Sequence, residues 1–270
     1  VKNKKRYFSL ILIVIFLILF SSISFAQNIE DVYSVEMFFD GFLESQMEEY
    51  KVPGVTISVV KDGEIIFKKG YGFYDLENNK RVNPDQTLFR PGSISKLFVW
   101  TSVMQLVEEG KIDLDQNVNE YLDFDIPNEL VGNKDTEDVK SISVMNLLNH
   151  NAGFEDKIKD LFVLSNEDIK PLGTYLKEYM PARVYPAGRE MAYSNYASSL
   201  AAYIVEQVSG LTFNEYVEEN IFEPLNMNQS TFRQPVPEEI DGESSLGFAY
   251  INGGYQSDQF EYIQPILLVL

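Results

Sequence analysis

Ser93-Ile94-Ser95-Lys96 places a hydroxyl and an amine three residues apart. On a helix that spacing puts both on one face, with the amine one turn from the hydroxyl. A neutral lysine there would take the serine proton and leave an oxygen nucleophile. The tetrad follows Pro91-Gly92 and opens a helical pattern. The first turn of a helix offers free N–H groups and the positive end of the peptide dipoles, both suited to a developing oxyanion. The chemically idle reading is a serine that caps a helix beside a solvated lysine. Ser58-Val59-Val60-Lys61 repeats the spacing inside a predicted strand. Side chains three apart on a strand point to opposite faces, so this second copy is set aside. Leu97, Trp100, Met104 and Val107 are expected to be the apolar stripe that seats the helix after Ser93.

Tyr193-Ser194-Asn195 supplies the next chemistry. A phenol beside a lysine can shuttle a proton between serine and a leaving group, and an asparagine amide both donates to and accepts from a substrate amide. Taken alone, Tyr193 reads equally as an amphipathic core residue. Tyr250-Ile251-Asn252-Gly253 repeats the pattern, but Asn-Gly there marks a hairpin turn. The single histidine, His150, invites a Ser-His-Asp triad. The chain has no G-x-S-x-G elbow, so His150 is read as structural, hydrogen-bonded to backbone.

The elements that must hold these residues follow from periodicity. Val35, Phe38, Phe39, Phe42, Leu43 and Met47 predict a helix over 32–50. Runs at 55–60 and 64–71 flank Asp62-Gly63 and predict a hairpin. Helical patterns follow at 96–122, interrupted at Gly110-Lys111, then at 143–148 behind Ser143, at 172–180, and at 196–208 before Gly210. Thr212 with Glu215 has the form of a capping box. Strands followed by helices, without βαβ alternation, give an α+β class: an antiparallel sheet flanked by helices, with a mainly helical part.

The chain is 270 residues long and carries a formal charge of −19, with four of its basic residues among the first six positions. So acidic a body is repelled by nucleic acid and anionic surfaces. The absence of cysteine excludes disulfides, thiolate nucleophiles and Cys-based zinc sites, and one histidine is too few for a His-based metal centre. No metal and no cofactor are expected. Lys2, Lys4, Lys5 and Arg6 precede an apolar run that ends in Ser24-Phe25-Ala26, the pattern of a signal peptide over 1–26. An uncleaved anchor is the rival reading. Residues 27–270 then form one domain outside the cytoplasm. Pro265 to Leu270 is an apolar run that ends with the chain, and the domain is read as lacking its last strands.

Ser93-x-x-Lys96, then Leu147-Leu148-Asn149-His150-Asn151-Ala152-Gly153, then Pro186-Ala187-Gly188 and Tyr193-Ser194-Asn195 stand in one order. Together with Ile221-Phe222-Glu223-Pro224-Leu225, they make residues 55–232 resemble the serine β-lactamase-related family of class C β-lactamases and penicillin-binding D,D-peptidases. The resemblance implies a β-lactamase/transpeptidase-like fold with Ser93 as the acylated nucleophile. It also implies Lys96 as proton partner, Tyr193 as general acid/base and Asn195 as substrate contact. It implies a small-molecule or peptide substrate: a D-alanyl peptide amide such as a peptidoglycan stem peptide, a β-lactam, or an ester. A membrane would enter only through an uncleaved leader or a further C-terminal segment. The family's third motif, a Lys- or His-containing triplet ending in Gly on a late strand, has no counterpart before Leu270. A penicillin-binding sensor that acylates without turnover, or an inactive fragment, is the alternative.

Overall fold

The computed structural model describes residues 32–132, 139–156, 161–240, 242–258 and 262–264. The expected leader and the closing apolar run 265–270 lie outside them. The chain divides into two compact units, Val1–Tyr71 and Gly72–Leu270.

In the first unit the amphipathic run folds as α1 (Val32–Tyr50). After Pro53 the chain enters β1 (Gly54–Lys61), turns at Asp62-Gly63 and returns as β2 (Glu64–Asp75), whose end belongs to the second unit. Both turn residues have positive φ, 52° and 83°, the twist that a two-residue hairpin requires. α1 meets the hairpin through Phe39, stacked on Phe67 with centroids 5.6 Å apart. Lys69 Nζ donates to Glu36 at 2.7 Å and to Asp40 at 3.0 Å, and the Tyr71 hydroxyl donates to Asp40 at 2.7 Å. On β1 Ser58 is exposed and Lys61 lies on the other, half-buried face. The second serine–lysine copy is therefore split across the strand.

The second unit is organised around one buried helix. α2 (Lys96–Glu108) follows a 3₁₀ turn at Gly92–Ser95, and α3 (Val144–Leu148), α4 (Leu172–Glu178), α5 (Asn195–Ser209) and α6 (Phe213–Val217) come after it. α5 packs against each of the other four. It is buried without a break from Asn195 to Val205, and Ala197, Ala201 and Ala202, all fully buried, let its neighbours approach closely. Its start is set by Ser194, whose hydroxyl accepts from the Ala197 N–H, and its end by Gly210 at φ 79°. Ser143 and Thr212 head capping boxes on α3 and α6. The last turn after α6, Glu218–Phe222, widens to π geometry.

The strands of this unit are short. The end of β2 pairs antiparallel with β3 (Lys80–Arg81). β4 (Thr87–Leu88) pairs parallel with β6 (Glu243–Ser244), and β5 (Phe162–Val163) pairs antiparallel with β9 (Tyr262–Ile263). β7 (Gly247–Ile251) and β8 (Gly254–Asp258) form a hairpin on Asn252-Gly253, φ 53° and 85°.

Two expectations change. The helical pattern over 96–122 is α2 alone, closed at Gly110 with φ 71°; a loop and a 3₁₀ turn at Val118–Glu120 follow. The stripe that seats α2 is Lys96, Val99, Ser102, Val103 and Leu106, whereas Leu97 is 64% and Met104 46% exposed. Trp100 and Val107 sit at its edge, half-buried. Because Lys96 itself is on the buried face, the buried positions count from it at i+3, i+7 and i+10 rather than from Leu97.

Arg183 is 4% exposed and has carbonyl and amide oxygens for partners: Pro127 O at 3.2 Å, Asn128 Oδ1 at 3.3 Å and Lys140 O at 3.1 Å. It ties Pro127, Asn128 and Lys140 to the segment that leads to Tyr193. Arg183→Ala is expected to cost about 3 kcal/mol in urea unfolding, because three part-buried hydrogen bonds from a charged donor are lost together. A change below about 0.5 kcal/mol, the range of ordinary surface substitutions, would show that the guanidinium is not a strut.

Candidate functional site

The site is assembled in the second unit from the start of α2 and the loop before α5. Gly92, at φ 58°, allows the chain to leave Pro91 and enter the 3₁₀ turn at once. Ser95, almost fully buried, closes that turn by donating its hydroxyl to Gly92 O at 2.6 Å. Ser93 is thereby presented on the exposed side while Lys96, only 7% exposed, runs beneath it.

Lys96 Nζ donates to Ser93 Oγ at 3.1 Å. From a hundred residues along the chain, the Tyr193 hydroxyl donates to the same oxygen at 2.8 Å. Lys96 Nζ also stands 5.1 Å from the Tyr193 ring centroid. One serine oxygen is thus held between two groups able to exchange protons with it, at the distances that general acid–base chemistry requires. Tyr193 is 48% exposed, so the triad is reachable from solvent. Asn195 opens α5 at 8% exposure, and its Oδ1 is buried with no hydrogen-bond partner.

His150 is hydrogen-bonded to backbone, as the sequence predicts; its contact with Tyr193 is what the sequence does not disclose. The histidine ends the α3 turn with φ 51°, and its ring lies 4.5 Å from that of Tyr193 and 5.7 Å from that of Trp100. Its Nδ1 accepts the Ser194 N–H at 3.3 Å, and its carbonyl accepts the Ala192 N–H at 2.8 Å. Burial, and after it the nearby Lys96 ammonium, lower its pKa below the ordinary 6.5. Trp100 in turn donates its indole N–H to Leu148 O at 3.2 Å. The sequence signal was there in a weak form: the only histidine directly precedes Asn151-Ala152-Gly153, a turn that the Tyr185 backbone touches.

Among the described residues, no group of three or more His, Asp and Glu side chains is placed to hold a metal. No described helix is long and apolar enough to cross a membrane. A separate cavity of about 500 Å³ lies against α4 and α5, lined among others by Lys177, Tyr203, Glu206 and Phe213. Its lining includes none of Ser93, Lys96, Tyr193 and Asn195.

Comparison with known proteins bears on the fold and the family. Protein flp of Staphylococcus aureus (strain MW2) is 25% identical over 72% of this chain and 38% of its own length. Among solved structures, the octameric penicillin-binding protein homologue from Pyrococcus abyssi superposes with a TM-score of 0.69 at 28% identity, covering 86% of this chain and 52% of that one. A class C beta lactamase superposes with a TM-score of 0.64 at 26% identity, covering 88% of this chain and 60% of that one. The chain therefore spans 38% of that curated relative and little more than half of these solved chains. The architecture is the α+β, β-lactamase/transpeptidase-like fold. The Beta-lactamase family model matches residues 39–247, and this protein belongs to that family.

Proposed function

We propose that this chain is an extracytoplasmic serine hydrolase that forms an acyl-enzyme on Ser93 and acts on a D-alanyl peptide amide, a β-lactam or an ester. The observation that carries the reading is the Ser93 oxygen held between Lys96 Nζ at 3.1 Å and the Tyr193 hydroxyl at 2.8 Å. The Lys96–Tyr193 pair, one proton short of ammonium and phenol together, takes the Ser93 proton as Oγ attacks the acyl carbon. The bond to the leaving group breaks, and that group takes the proton from Tyr193. Water then attacks the ester on Ser93 with proton transfer through the same pair, which releases the acid and restores the serine. Asn195, with its unpartnered Oδ1, is the candidate acceptor for an N–H of the substrate. The run of basic residues and apolar chain at 1–26 supports an extracytoplasmic location.

A fluorescent penicillin is expected to label the protein covalently on Ser93, and a chromogenic cephalosporin or p-nitrophenyl ester is expected to be turned over many times per molecule. Labelling without turnover would replace the hydrolase with a binding or sensing role. No labelling and no ester burst would remove the acyl-enzyme altogether.

A further inference from the structure

We infer that His150 is the positioning residue for Tyr193, and that its neutral imidazole is required to hold the Tyr193 hydroxyl on Ser93. This deepens the proposed acyl transfer on Ser93 and rests on it.

Tyr193 lies in a loop, without helix or strand to fix its ring, and nearly half of it is exposed. Three contacts to one residue hold it. The His150 ring lies against the Tyr193 ring at 4.5 Å with the planes 34° apart. The Ser194 N–H, next in the chain, donates to His150 Nδ1, and the Ala192 N–H, the residue before, donates to the His150 carbonyl. Tyr193 is thus clamped from both sides along the backbone and from one face of its ring. Nδ1 accepts from Ser194 only while it keeps its lone pair, so the neutral tautomer carries its proton on Nε2. A second proton on the ring would convert Nδ1 from acceptor to donor, facing an N–H. It would also place a cation beside the Lys96 ammonium. Among the described residues, the titratable groups facing His150 are Lys96 from α2 and Tyr193 from the loop before α5, while Trp100 packs on it uncharged. Burial and Lys96 both disfavour the imidazolium, so the clamp holds through neutral pH and opens only as pH falls below the ordinary histidine value.

Trp100 is the only tryptophan of the chain and sits 5.7 Å from the His150 ring. An imidazolium quenches a neighbouring indole, so its fluorescence reports this one proton without reference to activity. In the full chain carrying Ser93→Ala, Trp100 emission and the Tyr193 ring resonances of tyrosine-labelled protein, assigned with Tyr193→Phe, are expected to titrate together with one midpoint below pH 6.5. In the wild-type chain the acid limb of penicillin acylation is expected to share that midpoint. His150→Asn keeps a residue that tolerates positive φ. It is expected to abolish the fluorescence transition, to slow acylation at pH 7.5 by about 10- to 100-fold through misplacement of Tyr193, and to remove the shared acid limb. A Tyr193 resonance that stays fixed while Trp100 reports protonation would overturn the inference, as would a folded His150→Asn chain with the wild-type acid limb. Should His150→Asn fail to fold, the coincidence of midpoints in the Ser93→Ala chain decides alone. Coupled titration with no Ser93-dependent labelling at any pH would sink the acyl-enzyme reading and uphold the clamp.

Discussion

Ser93→Ala is expected to abolish covalent labelling by a penicillin, and Lys96→Ala to slow it by about 10²- to 10⁴-fold, the range that a positioned proton-transfer group supplies. The two effects differ in kind. Without Ser93 there is no oxygen to acylate, so the label is absent at any reaction time. Without Lys96 the oxygen remains, still within reach of Tyr193 at 2.8 Å, and acylation proceeds slowly. Ser58→Ala is the matched control. It removes the serine of the second S-x-x-K copy, which lies on the exposed face of β1 with Lys61 on the other face, and the labelling rate should stay within about twofold, as for an ordinary exposed substitution. The measurement is the time course of labelling for each variant, with circular dichroism to show that each is folded. Loss of labelling in Ser58→Ala with retention in Ser93→Ala would reverse the assignment of the nucleophile.

Local signals carried much of the fold into view from the sequence. α1 has the bounds its apolar spacing predicts, and Asp62-Gly63 and Asn252-Gly253 turn where two adjacent positive φ values are needed. Ser143 caps the helix it precedes, and Thr212 caps where Glu215 three residues on says it should. Each of these rests on interactions within a few residues. The pairings of β4 with β6 and β5 with β9 do not show, because two-residue strands have no alternation to read and their partners lie far along the chain. The face of α2 was misjudged for a related reason. The stripe is drawn from apolar residues alone, through Leu97, Trp100, Met104 and Val107, but a lysine whose amine points at a hydroxyl within the site can have its stem buried and count toward the face. Motif order named Ser93, Lys96 and Tyr193 as candidates, yet nothing in their spacing gives the 2.8 Å approach across a hundred residues, which only packing of α2 against α5 provides. The role of Arg183 and the contact of the His150 ring with Tyr193 are not legible either, since Arg183 bonds mostly to backbone oxygens and the ring contact joins residues far apart in the chain.

Gly153→Ala is expected to be the most damaging small substitution in the second unit, destabilising it by at least about 3 kcal/mol and lowering Tm by roughly 6–12 °C. Gly153 has φ 85°, and a Cβ there would fall 2.0 Å from Tyr185 O and 2.8 Å from its carbonyl carbon. The obstacle is backbone, so no side chain can swing aside. Nor can the Tyr185 segment retreat freely, because Gly153 O accepts the Val184 N–H at 2.8 Å and the Tyr185 N–H at 3.3 Å. Asn151 O holds the Gly188 N–H at 2.8 Å along the same seam. Moving the chain far enough to admit a methyl group would break several bonds worth about 1 kcal/mol each, on top of about 1–2 kcal/mol for positive φ in an L-residue. Gly210→Ala separates the two contributions. Its φ, 79°, is nearly the same, but no atom lies within 4 Å of the added carbon, so it should lose only the conformational part, about 1–2 kcal/mol. The seam that Gly153 anchors continues through His150 O and the Ala192 N–H to Tyr193, so whatever Gly153→Ala protein remains folded should also acylate slowly while Gly210→Ala acylates at the wild-type rate. Equal melting temperatures for the two variants would mean that the close approach of the 153 and 185 backbones is not a constraint of the native fold.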